Sequence, residues 1–249
     1  FMKLLLQYSL FTSIALLAFS IENFAQQKKY VQTENELIVH PDVRFSGGVQ
    51  SVRLRVVSDK IIGIKASVQK EALPDKSLIV IPQANKVQWK VEDKGVFIEL
   101  ITALLKIKVS LASGAVSFYD VKDKLLLAEK QADGRTIHPV ILEGEKLYAL
   151  RQTFETTNED AYYGLGQHQD DSWNYKGRQI VFFQNNTEVA VPFLVSVKNY
   201  GILWDNYSYS KAGDVRNFQQ LSDLQLFDKN GNEGWLTASY ANDRNKPTE

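Results

Sequence analysis

The chain has no cysteine among its 249 residues. That excludes disulfides, thiolate nucleophiles, cysteine-ligated metal centres and a lipid-modified N-terminal cysteine. A chain of this length can bury enough apolar surface to fold without disulfides. Histidine is also scarce, with only His40, His138 and His168. No two of them stand four residues apart, so a helical two-histidine zinc motif is absent. Neither sign of charge is in excess: Lys+Arg and Asp+Glu number 29 each. That balance lacks the basic footprint of a nucleic-acid binder, and it leaves neutral ligands open. There is no Walker lysine loop and no Gly-x-Ser-x-Gly elbow. Gly164-x-Gly166 fails as a dinucleotide fingerprint, because Gln169 stands where the third glycine belongs and no helix follows.

What is present begins with an export-type leader. Met2-Lys3 precedes the mostly apolar run "LLLQYSLFTSIALLAFSI", and polar residues follow. The spacing predicts a signal peptide helix over residues 1–25, cleaved after Ala25, with cleavage after Ser20 as the alternative. A membrane anchor is the competing reading, but Gln7, Ser9, Thr12 and Ser13 interrupt the run. Export implies a periplasmic or extracellular mature form with no membrane partner.

Beyond the leader, apolar residues alternate with polar ones. Val52, Leu54 and Val56 interleave with Arg53 and Arg55, and Leu105, Ile107, Val109 and Leu111 with Lys106, Lys108 and Ser110. Val96, Ile98 and Leu100 repeat the pattern. Period two marks strands with one dry and one wet face. Turn clusters separate the runs at 46–48, 58–60, 92–95, 112–114 and 121–124. The expected fold is all-β, an antiparallel β-sandwich over residues 26–227. Further strands are expected at Ile180–Gln184, Val191–Val197 and Gly201–Asp205. Pro192 is expected near a strand start or on an edge, and a short helical segment around Leu221–Phe227. Residues 228–249 read as a polar linker and the start of a following module, and the strand-like run from Gly234 suggests a chain cut short.

One stretch differs from the rest: "YYGLGQHQDDSWNYKG", Tyr162 to Gly177. Sugar rings offer apolar C–H faces to aromatic side chains, and their hydroxyls need amide, carboxylate or imidazole partners. Gln167, His168, Asp170, Asp171, Trp173 and Asn174 supply both kinds of group. The bland alternative, a loop whose aromatics cap the end of a sandwich, weighs equally from composition. Metal ligation by His168 with Asp170 or Asp171 lacks a third ligand. Paired carboxylates for glycoside hydrolysis would have to come from Asp170, Asp171, Glu188 or Asp205, and nothing in their spacing demands a pair.

The same stretch, followed by "QNNTEVAVPFLVSVKNYGILWDNYS", resembles the N-terminal β-sandwich of glycoside hydrolase family 31, nearest its α-xylosidase and α-glucosidase branch. "VRLRVVSDKIIGI" and "VFIELITALLKIKVSLASGAVSFYDVKDKLLLAE" fit the same domain, so the likeness runs from about Asn35 to Phe227. It implies a galactose-mutarotase-like sandwich packed on the chain's own downstream (β/α)8 barrel, which carries both catalytic aspartates. It also implies an oligosaccharide substrate, no cofactor and no metal. The loop after Gly-x-Gly would shape the substrate pocket, through Gln167, His168, Asp170, Asp171, Trp173 and Asn174. Many members have glutamate at Gln167. The family's Trp-x-Asp-Met nucleophile motif is absent: in "LWDNYS" Trp204 and Asp205 are adjacent, and the sole methionine is Met2. "WLTASYANDRNKPTE" resembles the opening of a protective-antigen-type carbohydrate module. A free-standing carbohydrate-binding module and an aldose mutarotase are the other classes open to this sequence.

Overall fold

The structure, a computed structural model, describes residues 29–71, 77–81, 86–169, 172–184 and 186–214. The expected leader helix over 1–25, the helical segment at Leu221–Phe227 and the module start at 228–249 lie outside these residues. Among the described residues every regular element is a strand, and every strand pair is antiparallel. The chain divides into two compact units between Glu155 and Thr156.

The first unit holds two meandering sheets. One runs β1 (Tyr30–Gln32), β2 (Glu36–Val39), β3 (Ser51–Ser58), β4 (Ile61–Ser67) in that order. The other runs β5 (Lys90–Asp93), β6 (Phe97–Ile101), β7 (Leu105–Ser110), β8 (Val116–Asp120), β9 (Leu125–Ala128). The alternation read in the sequence selects the inner faces. Leu37, Val39, Val52 and Leu54 of the first sheet share one dry core with Ile98, Leu100, Ile107 and Val109 of the second. Two sheets with one buried face each, packed together, form a sandwich. Each such side chain contributes roughly 1.5–3 kcal/mol by leaving water. Val96 departs from its expected place. It lies in the turn between β5 and β6 and is exposed, because the pairing of Phe97 with Ser110 starts the strand one residue later.

A two-stranded hairpin, β10 (Arg135–Leu142) with β11 (Glu145–Gln152), completes this unit. An isolated ribbon is marginal in water, so its base needs an anchor. Glu129 and Arg135 supply it. One Arg135 terminal nitrogen (NH2) donates to both Glu129 carboxylate oxygens, at 2.6 and 2.5 Å. Arg135 Nε donates to Gln152 Oε1 at 2.8 Å, and its other terminal nitrogen to the Gly114 carbonyl at 3.2 Å. Glu129 Oε2 also accepts from the Val116 amide at 2.9 Å. Both side chains are buried. Burial pushes the Glu129 carboxyl above its ordinary value, and Arg135 and the Val116 N–H oppose that push. The glycine turn closes on the same strand: a Cβ at Gly47 would lie 1.9 Å from the Arg135 carbonyl oxygen.

The second unit holds a three-stranded sheet ordered β12 (Tyr162–Gln167), β14 (Val189–Ser196), β15 (Tyr200–Leu203). Beside it lies the ribbon of β13 (Gln179–Phe182) with β16 (Ser210–Gly213). Its small core is Leu165, Tyr175 and Ile180, with Phe182, Leu194 and Ala212 packed against it.

Two outcomes test this arrangement. Leu54→Ala or Ile107→Ala lowers unfolding free energy by about 2–5 kcal/mol in urea titrations, the cost of a core cavity. Arg135→Met leaves Glu129 buried without its partner and costs about 3–5 kcal/mol, whereas Arg135→Met combined with Glu129→Leu recovers most of that loss.

Candidate functional site

Strand β12 carries the sequence Tyr-Tyr-Gly-Leu-Gly-Gln, and its middle is distorted. Gly164, Leu165 and Gly166 all have positive φ, at 91°, 64° and 101°. Glycine adopts such angles freely, whereas leucine does so rarely. Neither glycine tolerates a side chain. A Cβ at Gly164 would sit 2.4 Å from the Phe193 carbonyl oxygen, and one at Gly166 would sit 1.9 Å from that of Val189.

The ladder to β14 breaks at the same place. Gly164 pairs with Leu194 and Gly166 with Ala190, so Val191, Pro192 and Phe193 face the single residue Leu165 without regular partners on β12. Pro192 therefore sits inside a central strand, not at the start or on the edge as expected. A proline cannot donate to a ladder, and Pro192 faces the end of β15, where regular pairing stops at Phe193 and Leu203. The Pro192 carbonyl still accepts from the Trp204 amide at 2.8 Å.

The bulge aims the loop that follows. Leu165 drives its side chain into the small core, and its carbonyl oxygen lies 2.9 Å from His168 Nε2. The His168 ring also meets Tyr175 edge-on, with centroids 6.0 Å apart. The Gln169 side chain donates to the Thr187 hydroxyl, which ties this loop to the turn before β14. Gln167 ends β12 opposite Val189 and is exposed.

The return half of the loop is fixed at the other end of β12. Asn174 Oδ1 accepts from the Tyr162 amide at 3.0 Å and the Lys176 amide at 3.1 Å, and the Tyr175 amide donates to the Tyr162 carbonyl at 2.8 Å. Gln167 and His168 thus lie at one end of the strand, while Asn174 is held at its start. Between the two ends Trp173 projects into solvent, 87 % exposed. Asp170 and Asp171 lie outside the described residues. Asp205 lies past the end of β15 and accepts from the Tyr207 hydroxyl at 2.5 Å.

Two features of this unit stand outside the candidate residues read from the sequence, although the first has period-two spacing. One is a row of apolar side chains on β14: Val189, Val191, Phe193, Val195 and, just beyond, Val197 are each 40–48 % exposed. Leu203 and Tyr163 extend it on the neighbouring strands, paired with Phe193 and Val195. Gly201 leaves room for Phe193, whose ring would lie 2.7 Å from a Cβ there. The other is a buried ion pair. The Asp160 side chain is 1 % exposed and stands 2.7 Å from Lys198 Nζ. Its second oxygen accepts from the Thr157 amide at 2.6 Å and the Thr156 hydroxyl at 3.2 Å. Burial works against the charge, but Lys198 and the Thr157 donors outweigh it and hold the carboxyl at about 2. Nearby, burial pushes the Tyr200 phenol up to about 12.

The profile of the glycosyl hydrolase 31 N-terminal galactose mutarotase-like domain matches residues 51–212. The chain belongs to this family. The match spans β3 to β16 except its last residue, and it includes the bulge, the loop and the β14 row.

This family member is 31 % identical over 180 residues to an α-xylosidase of Saccharolobus solfataricus, covering 68 % of this chain and 24 % of that protein. It superposes with a TM-score of 0.71 on the crystal structure of a GH31 α-xylosidase from Xanthomonas citri, at 36 % identity, covering 82 % of this chain and 22 % of that one. A GH31 α-xylosidase from a soil metagenome, complexed with xylose, shares the fold at a TM-score of 0.64 and 22 % identity, over 75 % of this chain and 29 % of that one. The chain thus spans about a quarter of the length of the first two relatives.

The Asp160 pair makes a pH-dependent prediction. Its folded value of about 2 lies below the ordinary 3.8, so the stabilisation is complete above about pH 4 and is lost as pH falls from there toward 2. In thermal melts Asp160→Asn is therefore less stable than wild type at pH 6, and the gap narrows steadily between pH 4 and 2. A gap that stays constant over that range contradicts the assignment.

Proposed function

We propose that this chain is the non-catalytic N-terminal part of a secreted, retaining α-glycosidase of the α-xylosidase or α-glucosidase type. It supports a (β/α)8 catalytic barrel and lends the Gln167–Asn174 loop to the rim of the substrate pocket. The substrate is an α-linked oligosaccharide of plant polysaccharide, such as a xyloglucan fragment. Residues 1–25 serve as the export signal, 26–227 as the sandwich, and 228–249 as the link into a following module.

The observation that carries this reading is the family match. It falls on a domain named for its N-terminal place in glycosyl hydrolases, and the Saccharolobus solfataricus and Xanthomonas citri relatives are α-xylosidases. Three quarters of their length lies outside the match, which is room for a separate catalytic domain. The apolar row on β14 suits packing against such a domain, since soluble proteins seldom leave a contiguous apolar face in water. Trp173 suits stacking on a sugar ring, being aromatic, solvent-facing and carried on a loop anchored at both ends.

Chemistry in such an enzyme needs one carboxyl as nucleophile and another as acid and base, about 5–5.5 Å apart. This chain is assigned neither. Its part is to orient sugar and exclude water, which raises the rate by holding the reacting atoms in place.

The purified chain is expected to release no product from aryl α-xylosides or α-glucosides; clear turnover refutes the non-catalytic assignment. In the whole enzyme, Trp173→Ala is expected to lower kcat/KM on α-xylosyl oligosaccharides about tenfold, equivalent to about 1.4 kcal/mol. Kinetics unchanged on every substrate would make the loop purely structural.

A further inference from the structure

Among the described non-glycine residues with positive φ, Leu165 is the one whose side chain belongs to the buried core. The others are Asp123, Asp133, Glu143, Asn186 and Asn199, mostly the residue types that tolerate this conformation. A core leucine held this way is a local strain, and such strain persists where the surroundings over-determine it. Here they do. The two flanking glycines are fixed by carbonyls of β14, the ladder to β14 shifts register at this residue, and the side chain is locked beside Tyr175 and Ile180.

The consequence falls on His168. A carbonyl oxygen can only accept, so at 2.9 Å from the Leu165 oxygen His168 Nε2 must carry the proton. In neutral imidazole the second nitrogen is then an acceptor. Tyr175, edge-on to the ring, restrains the plane in which that acceptor lies.

We infer that Leu165 is a positioning residue: its left-handed backbone fixes His168 as the Nε2–H tautomer and presents Nδ1 as a hydrogen-bond acceptor for a sugar hydroxyl. His168 then reads a hydroxyl that donates, and Nε2, which carries the proton, neither ligates a metal nor acts as a base. The inference rests on the proposed sugar-facing role of the loop.

The test is long-range proton–nitrogen spectroscopy of the ¹⁵N-histidine-labelled chain at pH 8.5, above the ordinary imidazole range. Wild type is expected to show His168 with a protonated Nε2 and an unprotonated Nδ1. Leu165→Asn, which tolerates positive φ, retains that pattern. Leu165→Val, β-branched and excluded from it, shows averaged tautomers while the amide signals of the first unit stay dispersed. A wild-type Nδ1–H form or averaged tautomers overturns the inference, as does an unchanged pattern in Leu165→Val. If Leu165→Val fails to fold, wild type and Leu165→Asn still decide. Methyl α-D-xyloside is then titrated into the whole wild-type enzyme, labelled in the same way, where the His168 Nδ1 resonance is expected to shift and Nε2 to stay. Movement of the Trp173 indole signal without Nδ1 overturns the acceptor role and leaves the sugar-facing loop standing. Movement of neither removes both.

Discussion

The bulge at Leu165 is the constraint on which the second unit turns. Between the Gly164–Leu194 and Gly166–Ala190 pairs, three residues of β14 face one residue of β12, so the ladder opens there. It opens at Leu165, and the two glycines beside it absorb the required backbone angles. The opening kinks β12, turns the Leu165 side chain into the core and places its carbonyl against the His168 ring. Loop position, ring orientation and core packing meet at this one irregularity of register.

The first unit is governed differently. Its two sheets share a dry face, and the strength of that face lies in area, spread over many Val, Leu and Ile side chains. At its margin Glu129 and Arg135 fasten the base of the β10–β11 hairpin. A buried pair of this kind fixes geometry more than it adds stability, because desolvation offsets much of the attraction. The Asp160–Lys198 pair does similar work in the second unit, near the turn that joins β14 to β15. Each unit thus combines a non-directional core with a directional ion pair at its margin.

Family membership and site geometry bear on function from separate directions. The match over residues 51–212 assigns the domain. The geometry describes a loop held at both ends, with an exposed Trp173 between the anchors. Asn174, read from sequence as a sugar-facing amide, directs its carbonyl oxygen to the Tyr162 and Lys176 amides. The Asn174 amide is therefore structural, whereas Gln167 and Trp173 are exposed.

The sequence by itself determined the all-β class, the antiparallel pairing and most inner-face residues, because period-two alternation and turn clusters are local signals that survive folding unchanged. Val52, Leu54, Ile98, Leu100, Ile107 and Val109 were legible for that reason. Val96 was not, because strand ends are set by the partner strand and not by the pattern. The family resemblance was legible in the Gly164–His168 and Pro192–Ser208 blocks. Only the tertiary structure decided where Pro192 sits, that Leu165 is left-handed, which atoms hold His168 and Asn174, and that Asp160 meets Lys198 across 38 positions of chain. Those facts depend on which strands become neighbours, and hydrogen-bond partners and close backbone approach arise only once they do.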